Sequence, residues 1–512
     1  MRGVYSVAEI RLAEDALMAR LPLGALMQRA AHGLSIECAR LLGSVYGARV
    51  VLLVGAGNNG GDALYAGARL ARRGARVSAA VLDPKRVHGG GLAALRSAGG
   101  RVVAASPGAL AGAELVVDGI VGIGGRAGLR GAAIALAEAA EDVLTVAVDV
   151  PSGVDADTGA AGDSVIRADA TVTFGALKTG LVVGEGRACA GEVHLVDIGL
   201  ELPEPSVVVL EARDVAALLP VPDSSDDKYT RGVVGVVAGS AAYPGAGLLA
   251  TAAASHGGAG MVRYAGTAAD IVRRELAGVV VHTDTWPSEL RVQSWVVGPG
   301  IGTNEAASAL VADVLSTDLP VLVDADAITI VAERPDLISK RPAPTVLTPH
   351  DREFARFGDA PGTDRLNAVR ALAAELGAAV LLKGDATIVA SPDGAAWVNP
   401  TGTPWLGTAG SGDVLSGVIG SLLAAGLPAA LAAAAGAYVH GVAGQLAAAD
   451  GPPTSPDVLN ALRPALAAVL SAVRDRYRDD HGKGAERDGE RRHVWREREQ
   501  KQQHDDGDNA LP

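Results

Sequence analysis

The sequence predicts an α/β protein built from two parallel-sheet domains, and three observations lead there. Short runs rich in Val, Leu and Ile recur along the chain with helical spacers between them. The runs are continuous rather than alternating, so each strand is covered on both faces, as in a parallel sheet flanked by helices. Of 512 residues, 49% are hydrophobic but only 3% aromatic, and the 66 glycines gather in short turns, which suits tightly wound aliphatic layers. At roughly 100–200 residues per domain, this length holds two or three domains, and two is the preferred reading.

In chain order, Ser6 and Glu9 have capping-box spacing and open a first helix. Charges interrupt every apolar run of that segment, so it does not read as a signal peptide. Strands are predicted within 48–57, 75–83, 113–122, 143–153, 170–176 and 191–199, giving a Rossmann-like domain over residues 1–205. Prolines and an acidic cluster make 206–226 an expected linker. A second strand series within 232–240, 292–302, 319–329, 344–350 and 378–390 defines another α/β domain over 227–474. No Asp, Glu, Lys or Arg lies between Asp413 and Asp450, yet the stretch is Ala/Gly-rich and Pro428 divides it, predicting two core helices rather than a membrane span. Residues 475–512, dense in mixed charge and almost free of aliphatics, are expected to be disordered.

The net charge of −13 argues against a general affinity for nucleic acid or anionic membrane, although a local site can still take a small anion. Cys38 and Cys189 have no metal-spaced partners and read as buried thiols of a reducing compartment, with no zinc site.

Two stretches carry chemistry. In "VVLLVGAGNNGGDALYAGARLARRG", Gly55, Gly57 and Gly60 spell G-x-G-x-x-G between strand and helix, with Asp83 some way beyond, which is the setting of a dinucleotide turn. Such turns normally carry small apolar residues between the glycines, whereas this one supplies oxygens from Asn58, Asn59 and Asp62. Asp118, Asp149 and Ser152 add more oxygens at later strand ends, a set suited to a hard, weakly hydrated cation rather than zinc. Taken singly, each Asn or Asp reads equally well as a helix cap or Asx turn. In "GTPWLGTAGSGDVLSGVIG", Gly407, Gly410 and Gly412 let backbone N–H groups converge before a helix, making an anion hole for a phosphoryl group. Asp413 stands where it can take a proton from an attacking hydroxyl, and no Walker lysine is present. A plain glycine-rich turn with Asp as helix cap is the alternative.

These residues also carry a resemblance. "GNNGGDALYAGARLARRG", "DGIVGIGGRAGLRG", "DVPSGVDADTG" and "TFGALKTGL" are similar to the epimerase half of bifunctional NAD(P)H-hydrate repair enzymes. The G-x-G-D element resembles the ribokinase-like superfamily. With "VVAGSAAYPGAG", "VVGPGIG", "VLVDADAIT", "LTPHDREFARF" and "LLKGDATIV", it is similar to the dehydratase half of the same family. One departure is "HDRE" at His350–Glu353, where relatives commonly read "HPGE".

The resemblance implies a Rossmann-like fold followed by a ribokinase-like one. The first would interconvert the R and S forms of hydrated NAD(P)H; the second would dehydrate the S form at the expense of ADP, giving NAD(P)H, AMP and phosphate. Hydrate contacts are expected from Asn58, Asn59, Gly60, Gly61 and Asp62, and from Gly122, Ile123, Gly124, Gly125, Arg126, Ala127 and Gly128. Asn59, Asp118 and Ser152 would hold potassium, while Asp149 would meet the substrate and is expected to serve as acid/base. In the second half, Ala252, Gly302, His350 and Asp413 would touch the hydrate, and Lys383, Gly384, Asp385, Ala386, Thr387 and Gly412 would cradle the nucleotide with its Mg2+. The expected partners are the hydrates NADHX and NADPHX and ADP, with no nucleic acid or membrane, in a cytoplasmic homo-oligomer. A sugar or vitamin-precursor kinase fused to a non-catalytic nucleotide-binding module remains the alternative.

Overall fold

The computed structural model describes residues 1–472. The first apolar runs behave as two-face-covered strands: Arg49–Val54 starts with an exposed arginine and continues with five buried residues, and Leu115–Gly119 is buried throughout. Seven such strands form one sheet in the order Arg101–Val103, Arg76–Val81, Arg49–Val54, Leu115–Gly119, Thr145–Val148, Ala170–Phe174 and Glu192–Val196. Every pairing in it is parallel. One face packs on helices Ala25–Leu42 and Asn58–Arg72 through Leu34, Leu52, Leu64 and Leu70; the other packs on helix Ala132–Ala140 through Leu53, Leu136 and Ala147. The strand order reverses between Arg49–Val54 and Leu115–Gly119, so the crevice of a doubly wound sheet opens there, over the glycine-rich turn.

The second sheet has twelve strands. Seven run parallel in the order Val280–Val281, Met261–Tyr264, Val233–Val237, Ser294–Val297, Val321–Val323, Thr345–Leu347 and Ala379–Leu382. Ile388–Ala390 and Ala396–Val398 then continue as antiparallel hairpins. Helices Ser411–Ala424 and Ala429–Ala447 cover one face, separated at Pro428 as expected, and among the described residues no helix is long and apolar enough to cross a membrane.

The sheet does not stop at the second half. Val207–Val209 pairs with Ala396–Val398, Arg2–Tyr5 pairs with Val207–Val209, and Leu177–Lys178 pairs with Arg2–Tyr5. This corrects the linker expectation: part of 206–226 is a buried strand, followed by helix Ala212–Leu218, and only the segment around Asp223–Asp227 is an exposed connection. The pattern was hidden because a three-valine strand earns its place from partners about 190 residues away, not from local propensity. The expected disordered stretch at 475–512 lies outside the described residues.

Candidate active sites

The first site grows out of the turn after strand Arg49–Val54. Gly55 lies so close to the neighbouring strand end that a methyl group on it would sit 1.8 Å from the Ile120 carbonyl oxygen, so only glycine lets the turn fold against the switch point. Helix Asn58–Arg72 starts there, putting Asn58–Asp62 in its first turns at the mouth of the crevice. A side chain at Gly122 would meet Asn59 Oδ1 at 2.7 Å and Asp149 Oδ2 at 3.3 Å, so these two groups converge under the 122–128 loop. That loop runs from buried Gly122 out to exposed Arg126 and Ala127.

Asp118 and Ser152, both fully buried, are joined directly: the Ser152 hydroxyl donates to Asp118 Oδ1 at 2.7 Å and the Ser152 N–H to Oδ2 at 2.8 Å. Ile120 N–H also donates to Oδ1 at 3.2 Å. Burial pushes the Asp118 carboxyl up to about 6 against these hydrogen bonds. Asp149 takes a left-handed backbone conformation, φ 68°, that non-glycine residues rarely adopt. Its Oδ1 accepts from Lys178 Nζ at 2.5 Å, Thr173 Oγ1 at 3.2 Å and Phe174 N–H at 3.3 Å. Asp62 is the contrasting carboxyl. Its buried Oδ1 has no hydrogen-bond partner among the described residues, and burial, then Asp149 and Glu14, push its pKa well above the usual carboxylate range.

The second site forms at the start of helix Ser411–Ala424. Gly410 caps that helix with φ 88°, the left-handed turn that lets the first N–H groups face outward. Asp413 lies in the first turn, where burial, then Asp324, push its carboxyl up to about 7 while Lys383 opposes the shift. Lys383 Nζ donates to Asp324 Oδ1 at 2.6 Å, and Ser416 Oγ donates to Asp324 Oδ2 at 2.6 Å. Burial alone would lower the Lys383 pKa, but Asp324, Glu353 and Asp413 outweigh it and hold the ammonium above the usual lysine value. A side chain on Gly412 would come within 3.3 Å of Lys383 Nζ, so Gly412 and the 383–387 loop adjoin. Gly302 N–H donates to Asp326 Oδ2 at 2.8 Å, bringing that loop to the same carboxylate cluster.

His350 is an N-cap: its Nδ1 accepts from Glu353 N–H at 3.1 Å and its own N–H donates to Glu353 Oε2 at 2.9 Å. Asp351 pairs bidentately with Arg365 at 2.7 and 2.8 Å, and Arg365 also donates to the Lys383 carbonyl at 3.2 Å. "HDRE" therefore forms a turn tied through Arg365 to the 383–387 loop. Ala252 stands apart: it is 3% exposed within helix Pro244–His256 and presents nothing to solvent.

Three polar residues were given no role from the sequence. Lys178 and Asp324 sat inside quoted motifs, "TFGALKTGL" and "VLVDADAIT", and a lysine or aspartate flanked by strand residues was the available signal. Glu14, whose pKa is raised by burial and then by Asp149, faces the first site from helix Val7–Met18, which the Ser6–Glu9 capping box marked as a helix but nothing marked as part of a site.

Two crevices on one chain, each with a lysine–aspartate pair beside a glycine-rich helix start, mark a two-domain enzyme of nucleotide chemistry. The family model "NAD(P)H-hydrate dehydratase" matches residues 234–462, and "YjeF-related protein N-terminus" matches residues 23–180. The bifunctional NAD(P)H-hydrate repair enzyme Nnr of Mycobacterium leprae is 52% identical over 481 residues, covering 92% of this chain and 100% of its own. That of Mycobacterium tuberculosis is 51% identical over 442 residues, covering 83% and 90%. Among solved structures, the ADP/ATP-dependent NAD(P)H-hydrate dehydratase of Bacillus subtilis, co-crystallised with ATP/Mg2+, is 28% identical with a TM-score of 0.47, covering 51% of this chain and 98% of that one. The chain belongs to the bifunctional NAD(P)H-hydrate repair enzymes, with an epimerase-type first domain and a dehydratase-type second domain. The kinase alternative is thereby set aside.

Proposed function

We propose that the two crevices act in sequence on one damaged coenzyme. In the first, C6 of the hydrated ring is a hemiaminal carbon, so the ring nitrogen can expel hydroxide and water can return from either face. Asp149, its Oδ1 fixed by Lys178, presents Oδ2 toward the 122–128 loop and orients or deprotonates the incoming water. Asp62, whose carboxyl pKa is raised well above the usual range by burial and then by Asp149 and Glu14, is assigned to donate to the departing hydroxyl. Asn58, Asn59, Gly60 and Gly61 bind the hydrate beside it.

The Asp118 oxygens are buried with only neutral partners, which fits a monovalent cation held with Asn59 and Ser152. Potassium held there would supply positive charge to offset the buried Asp118 carboxylate.

In the second crevice, Asp413 takes the proton of the C6 hydroxyl as that oxygen bonds to the β-phosphorus of ADP and the bond to AMP breaks. The ring nitrogen then expels phosphate, and loss of the neighbouring C5 proton restores the ring double bond. Phosphate leaves more easily than hydroxide, so nucleotide cleavage drives the dehydration. Lys383–Thr387 and Gly412 cradle the nucleotide, whose phosphates would bring Mg2+ with them. Gly302 and His350 are assigned to the hydrate side; the buried Ala252 is not. Two free, buried cysteines favour a reducing compartment such as the cytoplasm.

One observation carries this reading: a carboxyl poised near neutral pH in the first turn of a glycine-capped helix, beside the Lys383–Asp324 pair. The test supplies racemic hydrate and ADP. Wild type should convert all of it to the reduced coenzyme with release of AMP, while Asp413→Ala should still exchange R and S but lose repair by about 10³-fold. Retained repair in that variant overturns the assignment.

A further inference from the structure

We propose that Arg187, a residue of the first domain, positions the nucleotide loop of the second. It stands on helix Gly184–Ala190, just after Val183, which is itself buried in the second domain's core beside Val207, Ala396 and Val398. From there Arg187 Nη1 donates to the Asp385 carbonyl at 2.5 Å, and Nη2 donates to the Pro400 carbonyl at 3.1 Å. Its guanidinium also lies 3.9 Å from Asp385 Oδ2.

The two carbonyls belong to opposite sides of one cradle. Asp385 is the middle of the 383–387 loop, and Pro400 follows Asn399, whose N–H donates to the Thr387 carbonyl at 2.9 Å. Past Pro400 the chain leads to Gly407–Gly412 and Asp413. A planar fork with several fixed donors is suited to spanning two such acceptors, which a lysine ammonium is not. Arg365 secures the same loop from within the second domain through the Lys383 carbonyl, so Arg187 is the matching brace from outside it. The expected consequence is that nucleotide affinity in the dehydratase depends on a side chain of the epimerase.

This rests on reading residues 383–387 as the nucleotide loop, and the experiment separates the two. In the full-length enzyme, Arg187→Ala and Arg187→Gln should raise the KM for ADP roughly 3–10-fold, with kcat at saturating ADP within about twofold and R/S exchange unchanged. Arg187→Lys should recover part of the loss, and added guanidinium ion should lower the KM of Arg187→Ala. Lys383→Ala is measured in parallel by ADP binding. Unchanged ADP binding in Lys383→Ala overturns the loop assignment itself; loss there with an unaltered KM in both Arg187 variants overturns only the role of Arg187. Equal falls in both activities, with a lowered melting temperature, also overturn it, since they would reveal a structural brace.

Discussion

Asp413 and Asp149 show how differently surroundings can hold one residue type, and the tasks proposed for them follow from that. Asp413 titrates near about 7 because burial disfavours its charge, so the rate of dehydration should rise with pH through neutrality and level off as the base is uncovered. A pH profile of kcat/KM measures this, and an inflection near about 4, the ordinary aspartate range, would remove Asp413 as the base. The same shift acts on stability. The folded carboxyl holds its proton up to about 7 while the unfolded one releases it near about 4, so folding takes up a proton in that window and stability declines as pH rises through it. Asp413→Asn should therefore melt above wild type at pH 8, with the difference shrinking as pH falls below 6. Asp149 is instead locked to Lys178, a fully buried ammonium. Removing that partner leaves a charge unpaired, so Lys178→Met should lower unfolding free energy by about 3–5 kcal/mol in urea titrations.

Helix starts and strand ends carry both crevices, and here sequence and structure can be compared piece by piece. Arg49–Val54, Leu115–Gly119, Val233–Val237 and Ser294–Val297 were legible because buried parallel strands leave uninterrupted aliphatic runs. The C-terminal ends of Leu115–Gly119 and Thr145–Val148 pointed to Asp118 and Asp149 for the same reason, whereas Gly302 was expected only from the resemblance. Arg2–Tyr5, Leu177–Lys178 and Val207–Val209 were not legible, since two to four residues give no period and their pairing is fixed by the whole fold. Lys178 was invisible as a site residue because its partner lies 29 positions away, and Arg187 because its acceptors lie about 200 away. The glycine turns were legible as motifs, but their reasons differ: Gly410 needs the left-handed backbone, Gly55 needs the missing side chain. Gly55→Ala should thus disrupt the first crevice, abolishing R/S exchange while dehydration of pure S hydrate persists. Unimpaired exchange in that variant would show that the turn relaxes away from Ile120.

For the whole molecule, the decisive feature is that strands from both halves join one twelve-stranded sheet. Val4, Leu177 and Val183 from the first half share a core with Val209, Val398 and Ile388. The two halves should then unfold together, and deleting residues 1–5 should lower the melting temperature of both activities rather than of epimerisation alone. Differential inactivation on heating would refute a shared core. The joined sheet also supports Arg187 across the junction, since a brace between domains works only when its footing is rigid.

The N-terminal strand Arg2–Tyr5 has one further consequence, for dissection. A fragment ending at residue 205 keeps this strand but loses Val207–Val209, its antiparallel neighbour, leaving a row of unpaired amides beside apolar Val4. Exposed edges of that kind recruit other chains. A separately expressed epimerase half is therefore expected to self-associate unless the cut is moved past Val209, and even then Val207–Val209 waits for Ala396–Val398 to cover its far side. Where the gene is divided thus decides whether the fragment behaves as a folded unit or as a nucleus for clumping.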